Sequence, residues 1–197
     1  TGMATLDEVE MTVEAMRATG NEKIVILQCT TNYPSKIEDT NLLAMQTLAN
    51  KFNLTVGYSD HTINNIACIV SIGLGAKLIE KHFTMDKAMK GPDHATSATP
   101  EEFVKLVKDI RSAEIVLGSA IKEPCAAELE NMLGMRRSIV AKSSIKKGEV
   151  INEDLITFKR PATGLEPYFL SEVLGKRAIR DIEGDEFVLL KDVINNE

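Results

Sequence analysis

Leu54-Thr55-Val56-Gly57-Tyr58-Ser59-Asp60-His61-Thr62 starts as a strand and ends as a polar loop. Leu54 to Tyr58 has strand length, with a β-branched centre. Downstream, Ile63, Ile66, Ile69 and Val70 recur at helical spacing and predict a helix ending at Gly73 or Gly75, and Lys77 to Phe83 reads as another strand. Upstream, Ile24 to Leu27 forms a third short apolar run, separated by a helix carrying Leu42, Met45, Leu48, Ala49 and Phe52. Capped helices bracket these elements. Thr5-Leu6-Asp7-Glu8 reads as a capping box ahead of Val9, Val13 and Met16, with Gly20 as the stop. Thr99-Pro100-Glu101-Glu102 supplies an N-cap, a proline at the first helical position and a glutamate at the third, opening a helix through Phe103, Leu106, Val107, Ile110 and Val116 to Gly118. Helix and strand alternate throughout, which predicts an α/β fold with a parallel sheet or barrel wall.

Beyond Gly118 the pattern changes. Residues 119–135 read as a linker, and short β-like runs dominate residues 136–197. Gly148-Glu149-Val150-Ile151 leading to Asp154-Leu155-Ile156 is echoed by Asp185-Glu186-Phe187-Val188 leading to Asp192-Val193-Ile194, which predicts a small pseudo-symmetric β-rich domain. Residues 1–118 then form a separate first domain.

The 197 residues carry 23 Lys+Arg against 29 Asp+Glu, a net charge of −6, which argues against nucleic acid as the main partner. No stretch is apolar and long enough to span a membrane, and no leader pattern opens the chain. Three widely spaced cysteines, Cys29, Cys68 and Cys125, fit a reducing cytoplasm. The methionines, spread over helix faces, are expected in the core. Arg136-Arg137 and Lys146-Lys147 read as solvated faces, and Gly73-Leu74-Gly75 as a helix stop rather than a phosphate loop.

All three histidines lie between positions 61 and 94. His61 and His82 fall where strands give way to loops, and the carboxyl ends of parallel strands converge on active sites. Glu80 and His82 share one strand face, and Gly91-Pro92-Asp93-His94 precedes the last helix. Two imidazoles with carboxylates nearby suit a divalent metal whose remaining positions take water or substrate.

Cys29-Thr30-Thr31-Asn32-Tyr33-Pro34, Gly57 to Thr62, Glu80-Lys81-His82-Phe83-Thr84 and Gly91-Pro92-Asp93 occur in the order seen in the sialic acid synthases. Lys159-Arg160-Pro161 follows within a segment that resembles the antifreeze-like (SAF) domain ending those enzymes, so the resemblance is collinear from Thr1 to about Ile194. The family includes legionaminic and pseudaminic acid synthases. The resemblance implies the C-terminal portion of a (β/α)8 TIM barrel followed by the SAF domain. It also implies condensation of phosphoenolpyruvate with an N-acetyl-hexosamine such as N-acetylmannosamine, giving a nine-carbon 2-keto acid and phosphate.

Position by position, His61 and His82 resemble the ligands of a Mn2+ or Mg2+ ion. Ser59 and Thr31 resemble contacts to phosphoenolpyruvate, and Thr1 a contact to its phosphate. Tyr33 and Asp93 resemble residues that hold the sugar hydroxyls, with Asp93 and Glu80 counted as catalytic carboxylates. Arg160 resembles the arginine that one subunit's SAF domain delivers into the other subunit's barrel, which implies a domain-swapped homodimer. A complete barrel takes roughly 250 residues. The first 118 residues hold three clear strands, so the expectation is that an upstream half carries the phosphate-binding lysines and that this part alone is inactive. A reading from a different class is a truncated, non-catalytic remnant whose SAF domain binds carbohydrate or a partner. A class II-like metal aldolase leaves the SAF-like tail unexplained.

Overall fold

A computed structural model describes residues 1–195. They divide into two compact units, meeting in sequence at Ala120 and Ile121.

The first unit runs α1 (Leu6–Ala18), β1 (Val25–Cys29), α2 (Ala44–Phe52), β2 (Thr55–Asp60), α3 (Ile66–Gly73), β3 (Ile79–Lys81) and α4 (Pro100–Leu117). The strands form one parallel sheet in the order β1-β2-β3, so α2 and α3 are crossovers. Both expected capping boxes are present: Thr5 with Glu8 starts α1, and Thr99 with Glu102 starts α4.

One sheet face is packed and the other is open. Ile26, Val56 and Tyr58 join Val13, Met45, Leu48, Phe52, Cys68, Ile72 and Leu106 in a single core beneath the helices. Alternation sends Val25 and Leu78 to the opposite face, where they are 46% and 43% exposed. Gly57 also belongs to that face; a Cβ there would lie 2.4 Å from the Leu78 carbonyl oxygen and 2.5 Å from Leu27 Cδ2.

Several boundaries differ from the sequence reading. β2 continues through Ser59 and Asp60, whereas β3 is only three residues long. Phe83 lies instead in an isolated bridge with Ala98, which closes the loop between them. Ile63 is outside α3 because Asn64 Oδ1 accepts from the Ile66 N–H at 3.0 Å and delays the helix start. Met45 is fully buried, but Met3, Met11, Met16, Met85, Met89 and Met135 are exposed, which corrects the core expectation for those six.

The second unit holds α5 (Ala126–Met135), β4 (Ser138–Ala141), β5 (Ile156–Lys159), β6 (Arg177–Ala178) and β7 (Val193–Ile194). The antiparallel pairs are β4 with β5 and β6 with β7. The internal echo is a structural pseudo-dyad. A shift of 37 positions carries Val140, Ile145 and Val150 onto Arg177, Ile182 and Phe187, and these residues bridge each other: Val140 to Phe187, Ile145 to Ile182, Val150 to Arg177. Ile145 and Ile182 exchange both backbone hydrogen bonds, at 2.8 and 2.9 Å, on the axis. The turns match too. Gly148 (φ 86°) and Asp185 (φ 69°) occupy the same left-handed position, which glycine adopts freely and aspartate tolerates. Ile139, Ile145, Ile151, Val173, Ile182 and Val188 form the core.

Asp192, 2% exposed, accepts from Arg180 Nε at 2.8 Å and from the Leu189 N–H at 3.2 Å. Burial pushes its carboxyl up, but these partners hold it below the ordinary 3.8. A depressed carboxylate stabilises the fold above its unfolded pKa, and that contribution is lost as pH falls through the folded value. Acid titration by circular dichroism is therefore expected to show less loss below pH 3.8 in Asp192→Asn than in the parent chain. Equal acid sensitivity would remove Asp192 from the account.

Candidate active site

Register and parity assemble the site. Across β2 and β3, Ser59 pairs with Glu80 and Asp60 with Lys81, so the first pair faces the open side and the second the helices. On the open side Ser59 Oγ donates to Glu80 Oε1 at 2.7 Å. That leaves Oε2 of the exposed Glu80 carboxylate to meet a ligand or water. Two residues further along each chain, the rings of His61 and His82 stand edge to face, with centroids 5.1 Å apart.

Tyr33 closes the group, its ring 4.1 Å from that of His82 and 5.4 Å from that of His61. Ser97 Oγ donates to the Asp93 carbonyl at 2.7 Å, so the Tyr33 hydroxyl, 3.1 Å away, donates to Ser97. The Asp93 carboxylate lies on the Nδ1 side of His82, at 3.7 Å. Thr31 is held against the start of the chain: a Cβ on Gly2 would fall 1.8 Å from Thr31 Oγ1. Thr1 lies beside β1, its hydroxyl donating to the Leu27 carbonyl at 2.9 Å.

The structure thus brings Tyr33, Ser59, Glu80, His61, His82 and Asp93 together at the carboxyl end of the sheet, with Thr31 just past β1 and Thr1 alongside that strand. His94 is not among them; its Nδ1 bonds Thr84 Oγ1 at 2.7 Å within the loop after β3. Arg160 belongs to the second unit, where it is exposed and Nε donates to the Met135 carbonyl at 2.9 Å.

The imidazoles fit a divalent cation. His61 Nδ1 is 2.8 Å from the Thr30 carbonyl oxygen. A carbonyl only accepts, so Nδ1 carries the proton and Nε2 presents its lone pair. Among the described residues no three His, Cys, Asp or Glu side chains form a ready-made cage. An ion here would be held by two protein nitrogens, with water or substrate as its other ligands.

Reading the sequence missed the network on the helix-facing side. Lys81 Nζ donates to Asp60 Oδ2 at 2.6 Å and to the Thr62 carbonyl at 2.7 Å, with both charged side chains almost fully buried. Asp60 also accepts from the Tyr58 hydroxyl (3.1 Å), the Thr62 N–H (2.9 Å) and the Cys68 thiol (3.1 Å). Burial pushes the Asp60 carboxyl up, but Lys81, Thr62 and Cys68 hold it below 3.8. Burial and the Asp60 charge push the Tyr58 phenol and Cys68 thiol up, so both remain protonated donors. The available signal was the adjacency of Asp60 to His61 and Lys81 to His82.

The NeuB family model matches residues 1–122 and the SAF domain model residues 136–194. The chain is 46% identical over its full length to an uncharacterized protein of Methanocaldococcus jannaschii, covering 58% of it. It is 42% identical over 98% of its length to an N,N'-diacetyllegionaminic acid synthase of Legionella pneumophila, covering 55% of that protein. A spore coat polysaccharide biosynthesis protein from Bacillus subtilis shares 34% identity with a TM-score of 0.58, over all of this chain and 60% of its own. The chain spans a little over half the length of the curated relatives it matches.

Proposed function

Because the chain belongs to the NeuB family and carries a SAF domain, we propose that residues 1–118 are the C-terminal portion of a TIM barrel in a sialic-acid-type synthase. The reaction is a divalent-metal-dependent condensation of phosphoenolpyruvate with an N-acetylated amino sugar. The observation that carries this reading is the facing pair His61 and His82, with the Thr30 carbonyl on His61 Nδ1, the Asp93 carboxylate 3.7 Å from His82 Nδ1 and the Ser59–Glu80 pair alongside.

His61 and His82 would hold Mn2+ or Mg2+, which supplies Lewis acidity for a sugar aldehyde oxygen. C3 of phosphoenolpyruvate bonds to the aldehyde carbon, whose oxygen takes up a proton and becomes a hydroxyl; water adds at C2, and phosphate leaves with C–O cleavage, carrying off the second water proton as the 2-keto group forms. Glu80, exposed on the same sheet face, orients that water and takes its proton. Thr31 and Ser59 face phosphoenolpyruvate; to donate to it, the Ser59 hydroxyl turns away from Glu80. Tyr33 and Asp93 form the wall against the sugar hydroxyls. In a domain-swapped dimer, Arg160 reaches the sugar in the partner's barrel by a charge-assisted hydrogen bond to a carbonyl.

N-acetylmannosamine is the acceptor on this reading. A second acceptor, a diacetamido hexose, is supported by the likeness to the Legionella pneumophila protein.

The test uses a polypeptide of the relatives' length that contains this chain. Stripping with a chelator is expected to abolish phosphate release, and Mn2+ or Mg2+ to restore it; full activity under chelation would end the metal role. In the same polypeptide, Arg160→Ala is expected to raise the sugar KM roughly 10- to 100-fold, the worth of a charged hydrogen bond, with the phosphoenolpyruvate KM little changed. Equal losses for both substrates would contradict the assigned contact.

A further inference from the structure

We propose that the buried Asp60–Lys81 ion pair is a positioning device that aligns the ends of β2 and β3 so that His61 and His82 face one ligand; this rests on the metal-site reading above. Both histidines lie immediately beyond the last ladder pair, which is Asp60 with Lys81. Their backbones are tied outward rather than to each other. The His61 carbonyl accepts from the Ser35 N–H at 2.8 Å, and the His82 carbonyl from the Ala98 N–H at 2.9 Å. The tie that spans both strands next to the rings is the side-chain clamp one residue earlier.

The clamp joins three elements. Lys81 Nζ reaches Asp60 on β2 and the Thr62 and Asn64 carbonyls, at 2.7 and 3.4 Å, in the turn after His61. Cys68 adds α3 to the same carboxylate. No buried side-chain nitrogen or oxygen among the described residues lacks a partner. A well-packed apolar pair often stabilises a fold as much as a buried ion pair, so this charge pair is better accounted for by the geometry it imposes.

The test is Mn2+ binding to the full chain, followed by electron paramagnetic resonance, in the parent, in Asp60→Asn/Lys81→Met and in Asp60→Asn. The double variant removes both charges yet leaves an acceptor for Tyr58 and Thr62. The single variant also keeps the Lys81 bonds to the turn carbonyls. The double variant is expected to fold by circular dichroism and to bind Mn2+ about 10- to 100-fold more weakly, as when an outer-shell partner of a ligand is lost. The single variant should bind several-fold more weakly. Unchanged affinity in either folded variant overturns the proposal, as does failure of both to fold, which makes the pair a stability element. If the parent binds no Mn2+, the metal reading fails by itself. Hydrogen exchange of the 61–65 amides then decides: faster exchange in the folded variants supports positioning, and unchanged exchange overturns it.

Discussion

On the proposed metal-site reading, His82→Ala, and separately His61→Ala, in a polypeptide of the relatives' length that contains this chain is expected to reduce turnover by on the order of 10³-fold or more. Only two protein nitrogens are available, since no third His, Cys, Asp or Glu joins them among the described residues. A four- or six-coordinate ion that loses one of two protein ligands keeps mostly solvent, and little holds it in register with the substrate. The fold should survive, because both rings are only half-buried and neither belongs to the core cluster. The check is a melting curve beside a Mn2+ titration. Retained melting with lost binding is expected; retained binding in both variants would show that the imidazoles are not the ligands.

Gly57→Ala is expected to destabilise the first unit by about 3 kcal/mol, at the upper end of ordinary overpacking. The new Cβ would meet a backbone oxygen, Leu78 O at 2.4 Å, and not the yielding tip of a side chain alone. That oxygen accepts the Tyr58 N–H at 2.9 Å, so relieving the clash opens the β2–β3 ladder. Because β3 has only three residues and leads directly into His82, Mn2+ affinity should fall as well. A melting temperature lowered by roughly 10 °C is the expected scale. A variant as stable as the parent would show that the sheet adjusts freely, contrary to the rigid register invoked for the site.

The parallel α/β order was legible because β1, β2 and the four helices of the first unit carry apolar residues at their own periods. The strand ends were less legible. Asp60 reads as a chain leaving a sheet, yet β2 includes it, because Lys81 on the neighbouring strand neutralises it in the interior. Residues 126–135, read as part of a linker, form α5. Its N-cap is Cys125, with Glu128 reaching back to the Cys125 N–H at 2.9 Å, and cysteine is not among the preferred capping residues. The histidines and Glu80 were singled out from their places at strand ends, whereas Ser59 was singled out through family resemblance. Tyr33, Thr31, Thr1 and Arg160 came through family resemblance alone, since contacts such as Tyr33 with Ser97 join distant loops and leave no periodic trace. The exposed methionines show the limit of composition: an apolar side chain on a helix is buried only if its face meets something, and α1 buries only Val9 and Val13.

The most direct test of the synthase reading is phosphate release from phosphoenolpyruvate, with N-acetylmannosamine, with a diacetamido hexose and with no sugar. It uses metal-loaded polypeptide of the relatives' length that contains this chain. The expected result is release that requires an N-acetylated sugar and matches, mole for mole, the formation of a nine-carbon 2-keto acid. Release without any sugar, or none with any acetamido sugar while Mn2+ is bound at His61 and His82, would contradict it.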